Sequence, residues 1–231
     1  MVRRCTTLVT ALGAILTTVL LASACGPQSN AGARVVVVAT TRCGTASPTS
    51  GVGVIVDDGL VLTAAHVVVG AGSVTISESA PESASTSVAL VAEIVLVDAT
   101  RDLALLRVPN LLGEPVELGT AVAGDLLVAP LPGARRATAI VRRAVAINID
   151  DVRASTRSRR AGYELRGALV PGDSGAGLFD DEDRLVGVFF SRSVSRDVVF
   201  AVGATEIATV LSAPRVSYVC DLDASRVVLD E

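Results

Sequence analysis

Short valine-rich apolar runs, each closed by glycine, proline, aspartate or serine, make up most of this chain beyond position 33. Many alternate apolar and small or polar residues, the period of a pleated strand rather than of a helix. A first series comprises Arg34–Thr40, Gly51–Val56, Leu60–Ala64, Ser73–Ile76, Val88–Asp98 and Leu103–Val108. A second comprises Asp125–Pro130, Ala137–Ile149, Tyr163–Leu169, Gly175–Phe179, Leu185–Ser191 and Val198–Val202. Short runs at near-regular spacing predict an all-β sandwich or barrels. The series part around Pro109–Ala123, which contains Pro109, Pro115, Gly113 and Gly119. The pattern therefore predicts two six-stranded antiparallel lobes, one over about 34–115 and one over about 124–212. Helical spacing is confined to Thr205–Leu211, which predicts one short C-terminal helix. Ser77–Ser87 and Arg153–Arg160 are polar and read as exposed loops.

Composition strengthens the strand reading. With four Phe, two Tyr and no Trp, the core must be built from Val, Leu, Ile and Ala, and β-branched side chains suit a pleated surface. Ahead of the first run the pattern changes. Arg3 and Arg4 precede a charge-free, mostly apolar stretch, Thr6–Ala24, that ends in small residues before Cys25. This reads as a secretory signal over residues 1–24, followed by a polar tether over 25–33. The stretch also has about the length of a membrane span, so an uncleaved anchor is the alternative. It is similar to bacterial lipoprotein signals, with Ala22 where leucine is commoner. That resemblance implies lipidation of Cys25 and an exported protein held on the outer face of a cell membrane. Plain cleavage after Ala24 would instead give a secreted protein. Of the four cysteines, Cys5 leaves with the signal and a lipid would occupy Cys25. Cys43 and Cys220 then remain, as one disulfide in an oxidising compartment or as two free thiols. The net charge of −4 excludes a basic nucleic-acid footprint. One histidine and few cysteines supply no metal-ligand cluster, and no cofactor is expected.

That one histidine, His66, follows a predicted hairpin, Gly51–Leu62, turned at Asp58-Gly59. Any imidazole-mediated proton transfer must use it. Two further segments complete a chemistry. Asp102 opens the apolar run Asp102-Leu103-Ala104-Leu105-Leu106, and Ser174 lies within Gly172-Asp173-Ser174-Gly175. A serine hydroxyl becomes a nucleophile when a neighbouring base takes its proton, and a buried carboxylate holds that base in one tautomer. Glycines beside the serine let the backbone turn and aim N–H groups at a developing oxyanion. The backbone N–H groups of Gly172 and Ser174 are the expected donors. Asp98, four residues before Asp102, is a rival for the carboxylate.

In the order His66, Asp102, Ser174, these segments resemble the chymotrypsin-like (trypsin-like) serine proteases, in particular their bacterial exported branch. Thr63-Ala64-Ala65-His66, Asp102-Leu103-Ala104-Leu105-Leu106 and Gly172-Asp173-Ser174-Gly175 match the three family signatures, and Gly51–Val68 matches the longer histidine block. The resemblance covers about residues 34–212. It implies two β-barrels with the active site between them, His66 and Asp102 on the first and Ser174 on the second. It implies a serine endopeptidase acting on protein or peptide substrates, with His66 as general base and then acid, Asp102 as its orienter and Ser174 as nucleophile. It also favours Asp102 over Asp98. The alternative is a catalytically inactive binding module on the same fold. Ala168, six residues before the serine, falls at the base of the family's primary pocket. It carries no acid, which argues against cleavage after Arg or Lys. Ser191 and Arg192 would stand on another wall of that pocket, and Ser191 is a candidate support for the Asp102 carboxylate. Digestive members pair the aspartate before the serine with a freed N-terminus. No Ile-Val-Gly-Gly start exists here, so Asp173 needs another partner or none, and no proteolytic activation of that kind is expected.

Overall fold

The computed structural model describes residues 31–43, 47–78, 89–150, 157–193 and 195–218. The expected signal, Cys25 and Cys220 lie outside these residues. Twelve strands form two closed antiparallel barrels. The first contains β1 (Val35–Arg42), β2 (Thr49–Asp57), β3 (Leu60–Ala64), β4 (Ala71–Glu78), β5 (Ala89–Asp98) and β6 (Leu103–Arg107). Its order is β1-β2-β3-β6-β5-β4, closed by β4 on β1. The second contains β7 (Leu126–Leu131), β8 (Arg135–Asp150), β9 (Arg157–Gly167), β10 (Gly177–Phe179), β11 (Leu185–Ser193) and β12 (Val198–Gly203). Its order is β10-β11-β12-β9-β8-β7, and Phe179 opposite Val128 closes it. The two lobes, their strand count and the short helix α2 (Ala204–Ser212) match the expectation.

Three apolar clusters explain why so many runs are apolar on both faces. Val36, Val38, Val61, Ala104 and Leu106 fill the first barrel. Leu127, Ala139, Leu165, Phe189 and Ala201 fill the second. The opposite faces of β3 and β6 present Leu60, Leu62, Leu103 and Leu105 to a third cluster. There they meet Phe179, Leu185, Val188 and Phe190 of the second barrel, with Ile207 and Val210 of α2. Burying a Leu or Phe side chain contributes about 1.5–3 kcal/mol each, so this shared core holds the two barrels as one body.

The structure departs from the sequence pattern at four places. A four-residue helix, α1 (Ala65–Val68), carries His66 where no helical spacing could show. A 3-10 turn occupies Ala31–Arg34, so the end of the expected tether is ordered, with Ala31 buried in the shared core. Residues 157–160, expected in an exposed loop, begin β9 and bury Ser158 and Arg160. Finally, residues 214–218 run beside β5, with Val216 N–H donating to Val95 O and Tyr218 N–H to Ile94 O, both at 2.8 Å.

Candidate active site

His66 sits at the mouth of the first barrel because β3 turns directly into α1. The Ala65 N–H donates to the Asp102 carbonyl at 3.1 Å, and the His66 N–H donates to Asp102 Oδ1 at 2.9 Å. One residue thus satisfies two of the helix's first N–H groups, the usual task of a capping side chain. The same carboxylate receives the imidazole. His66 Nδ1 lies 2.9 Å from Asp102 Oδ2 and 3.1 Å from Oδ1. An ionised carboxylate only accepts, so Nδ1 carries the ring proton and the Nε2 lone pair is left to act as a base.

Asp102 is buried and has a φ of +57°. A left-handed residue costs roughly 1–2 kcal/mol unless it is glycine, aspartate or asparagine, and aspartate tolerates it best when its side chain is bonded nearby. The turn before it is well held. Asp98 accepts both the Arg101 backbone N–H and its guanidinium at 2.8 Å. Arg101 Nε also reaches Glu206 of α2 at 2.6 Å, and Glu206 accepts the Ala161 N–H of β9. These bonds raise the Arg101 pKa, that with Asp98 foremost, against the opposing effect of burial. Asp98 is thereby committed to Arg101, and the carboxylate that meets His66 is Asp102.

Ser174 arrives from the second barrel on the loop between β9 and β10. Its carbonyl accepts the Val52 N–H of β2 at 2.8 Å, a direct bond between the barrels. The Gly175 N–H donates to Phe189 O and the Ala176 N–H to Asp173 O. Asp173 N–H donates to Val170 O at 3.0 Å. The N–H groups of Gly172 and Ser174 donate to no acceptor among the described residues, and Gly172 has a φ of +97° with open space where a side chain would stand. The structure joins His66 to Asp102 by hydrogen bonds. Among the described residues it shows none between His66 and the Ser174 hydroxyl.

Asp173 is buried. Its Oδ2 accepts the Val170 N–H at 3.0 Å, and its Oδ1 lies 3.4 Å from Arg135 Nη2 at the start of β8. Arg135 is the cationic partner that the sequence left unnamed. Ala168 is exposed on the loop after β9. Arg192 donates from Nη1 to the Leu169 carbonyl at 3.2 Å and from Nη2 to Asp197 at 3.0 Å. Its side chain therefore ties β11 to the loop that leads to Ser174. Ser191 and Arg192 both line a cleft of about 560 Å³ on the second barrel, with Arg143, Glu164, Arg196 and Phe200. The Glu164 carboxyl is held below the ordinary glutamate range, first by the hydrogen bond from Arg143 and then by the charges of Arg143, Arg142 and Arg196, against the opposing effect of burial. Phe190 and Ser191 both line this cleft, and Phe190 also belongs to the core shared by the barrels.

Comparison with known proteins agrees with this geometry. Residues 51–188 match the family described as the trypsin-like peptidase domain. The serine protease Rv3671c of Mycobacterium tuberculosis strain H37Rv is 28% identical over 166 residues, and serine protease MT3772 of strain CDC 1551 matches equally. That match covers 68% of this chain and 40% of each relative, so the chain spans well under half the length of the curated relatives it matches. The crystal structure of the Rv3671c protease in its active form superposes with a TM-score of 0.70 at 24% identity, covering 86% of this chain and 84% of that one. The Ser343Ala mutant in its inactive form superposes with a TM-score of 0.64 at 26% identity, covering 79% and 87%. Two closed barrels, an imidazole bound to a buried carboxylate, a glycine-flanked serine loop and a family match over more than half of the sequence lead to one assignment: the chain belongs to the trypsin-like peptidase domain family.

Proposed function

We propose that this chain is a serine endopeptidase that hydrolyses peptide bonds through an acyl-enzyme. The observation that carries the reading is the hydrogen bond of His66 Nδ1 to buried Asp102, which leaves the Nε2 lone pair to act as a base. In this mechanism Ser174 Oγ attacks the substrate carbonyl and His66 Nε2 takes its proton. Asp102 stays ionised and stabilises the imidazolium. The N–H groups of Gly172 and Ser174 receive the oxyanion, each worth about 10²–10³ in turnover. His66 then gives its proton to the leaving amine, and water repeats the sequence on the acyl group. Treatment of the folded protein with a fluorophosphonate probe is expected to label Ser174, and Ser174→Ala is expected to abolish labelling. Absence of labelling on folded wild type would instead support a binding module that keeps the fold.

Substrate choice follows from Ala168, Ser191 and Arg192. No acidic side chain stands at Ala168, and the Arg192 guanidinium bridges Leu169 and Asp197 beside the loop that carries the nucleophile. A basic side chain entering there would meet a like charge, which disfavours it. Peptides with Arg before the cut are therefore expected to be poor substrates. Arg192→Ser is expected to improve them by about tenfold relative to peptides with Ala at that place. A strong preference of wild type for Arg in a peptide panel would contradict this placement of the pocket.

Three further assignments belong to the same proposal. The ion pair of Asp173 with Arg135, together with the Val170 N–H, supports an oxyanion loop that needs no freed N-terminus. We assign a disulfide between Cys43 and Cys220. Tyr218 lies beside Ile94, on the strand next to the β4 end that meets Arg42. Lipidation of Cys25 and an exported, membrane-held location rest on the composition of residues 1–25.

A further inference from the structure

A buried cation stands behind the carboxylate that orients His66. Strand β9 begins at Arg157, and its alternation buries Ser158 and Arg160 while Arg157, Arg159 and Ala161 face outward. Arg160 is 1% exposed. Its Nη1 lies 3.7 Å from Asp102 Oδ2, and its Cζ lies 4.9 Å from the centroid of the Phe190 ring. Nη2 lies 3.5 Å from Ser158 Oγ. Asp102 thus stands between two nitrogen groups from different barrels. Its Oδ1 takes the His66 backbone and shares the ring proton, while Oδ2 meets both the imidazole and the guanidinium.

Burying a guanidinium is costly, and an apolar side chain of the same volume often serves packing as well or better. The Phe190 ring repays part of that cost through cation–π attraction, and an anion repays more. The Asp102 carboxylate is one such anion. We propose that Arg160 is a positioning residue for the His66–Asp102 pair. Its charge holds the Asp102 carboxylate turned so that both oxygens stay on the imidazole side. It also makes the orientation of the imidazole depend on β9, a strand of the barrel that carries the nucleophile. The inference rests on the proposed triad and extends it by one residue that carries no signature in the sequence.

Two measurements test it, one independent of activity. In the first, Asp102→Asn removes the anion. If Arg160 depends on that charge, the variant is expected to melt about 5–10 °C below wild type. Combining it with Arg160→Met is expected to recover much of the loss, the signature of coupling in a double-mutant cycle. An Asp102→Asn protein as stable as wild type would overturn the proposal, even if Arg160→Met by itself does not fold. In the second, Arg160→Met and Arg160→Lys are compared on a peptide substrate. Methionine is expected to lower kcat by about 10–100-fold with KM little changed, and lysine to restore part of that loss. Because the chain has one histidine, the hydrogen-bonded Nδ1 proton gives one downfield NMR resonance. It is expected to move or broaden in Arg160→Met. Equal kcat in both variants, with that resonance unmoved, would also overturn the proposal. Fluorophosphonate labelling of wild type keeps the two ideas apart. A protein that is never labelled refutes the protease reading, whereas a labelled protein with an uncoupled Arg160 refutes only this one.

Discussion

Replacing His66 by alanine is expected to lower kcat/KM for peptide hydrolysis by about 10⁴–10⁶-fold while leaving the fold in place. The size follows from what is removed. Without a base the Ser174 hydroxyl is a poor nucleophile at neutral pH, and no second imidazole exists to take over. What remains is binding and the N–H groups of Gly172 and Ser174, which by themselves retain only a small share of the rate. The fold is expected to survive because the side chain is partly exposed, with 38% of its surface open. Its backbone N–H still donates to Asp102, and Asp102 keeps Arg160 on its other side. Steady-state kinetics on the purified variant, with a melting curve alongside, would check both halves. An alanine variant that keeps even a few per cent of the wild-type rate would show that the imidazole is not the base. A variant that loses the rate by unfolding would show that His66 is structural.

The same contrast separates what was legible in the sequence from what was not. His66, Asp102 and the loop at Ser174 could be found because each lies in a local pattern. A hairpin precedes the first, an apolar strand follows the second, and glycines surround the third. The two-barrel plan was legible for a similar reason, since turn residues separate most of the strands. Arg160 was hidden by the same rule. It lies in Arg157-Ser158-Arg159-Arg160, a polar run that reads as solvent-exposed loop, and only pairing with β8 reveals that alternate side chains turn inward. Arg135 was hidden differently. It is about forty positions from Asp173 in sequence, and no local pattern links a charge at the start of one strand to a loop carboxylate two strands later. The irregularity in β11 was hidden too: its pairing with β12 shifts register between Phe189 and Ser191, and a shift of one residue exchanges the faces of a strand.

The second large effect is expected at Gly175, next to Ser174, the proposed nucleophile. Its φ is +91°, and a Cβ there would stand 2.0 Å from the Val52 carbonyl oxygen and 2.5 Å from Thr63 Oγ1. Neither neighbour can yield easily. The Val52 carbonyl already accepts the Thr63 hydroxyl at 2.7 Å, and the Val52 N–H holds the Ser174 carbonyl. Gly175→Ala must therefore push the serine loop away from β2 by more than an ångström, at a cost of roughly 2–5 kcal/mol once backbone strain and overpacking are combined. A domain of this size should then melt about 5–15 °C lower. The rate is expected to fall further than stability alone explains, because a misplacement of about 1 Å at a reacting group costs about 10²-fold. Gly172→Ala separates the two causes. Its φ is equally left-handed, but nothing lies within 4 Å of the added carbon, so it meets strain without collision. It is expected to lower the melting temperature by only a few degrees. If the two variants melted alike and kept similar rates, the bond between Val52 and Ser174 would not be what positions the proposed nucleophile.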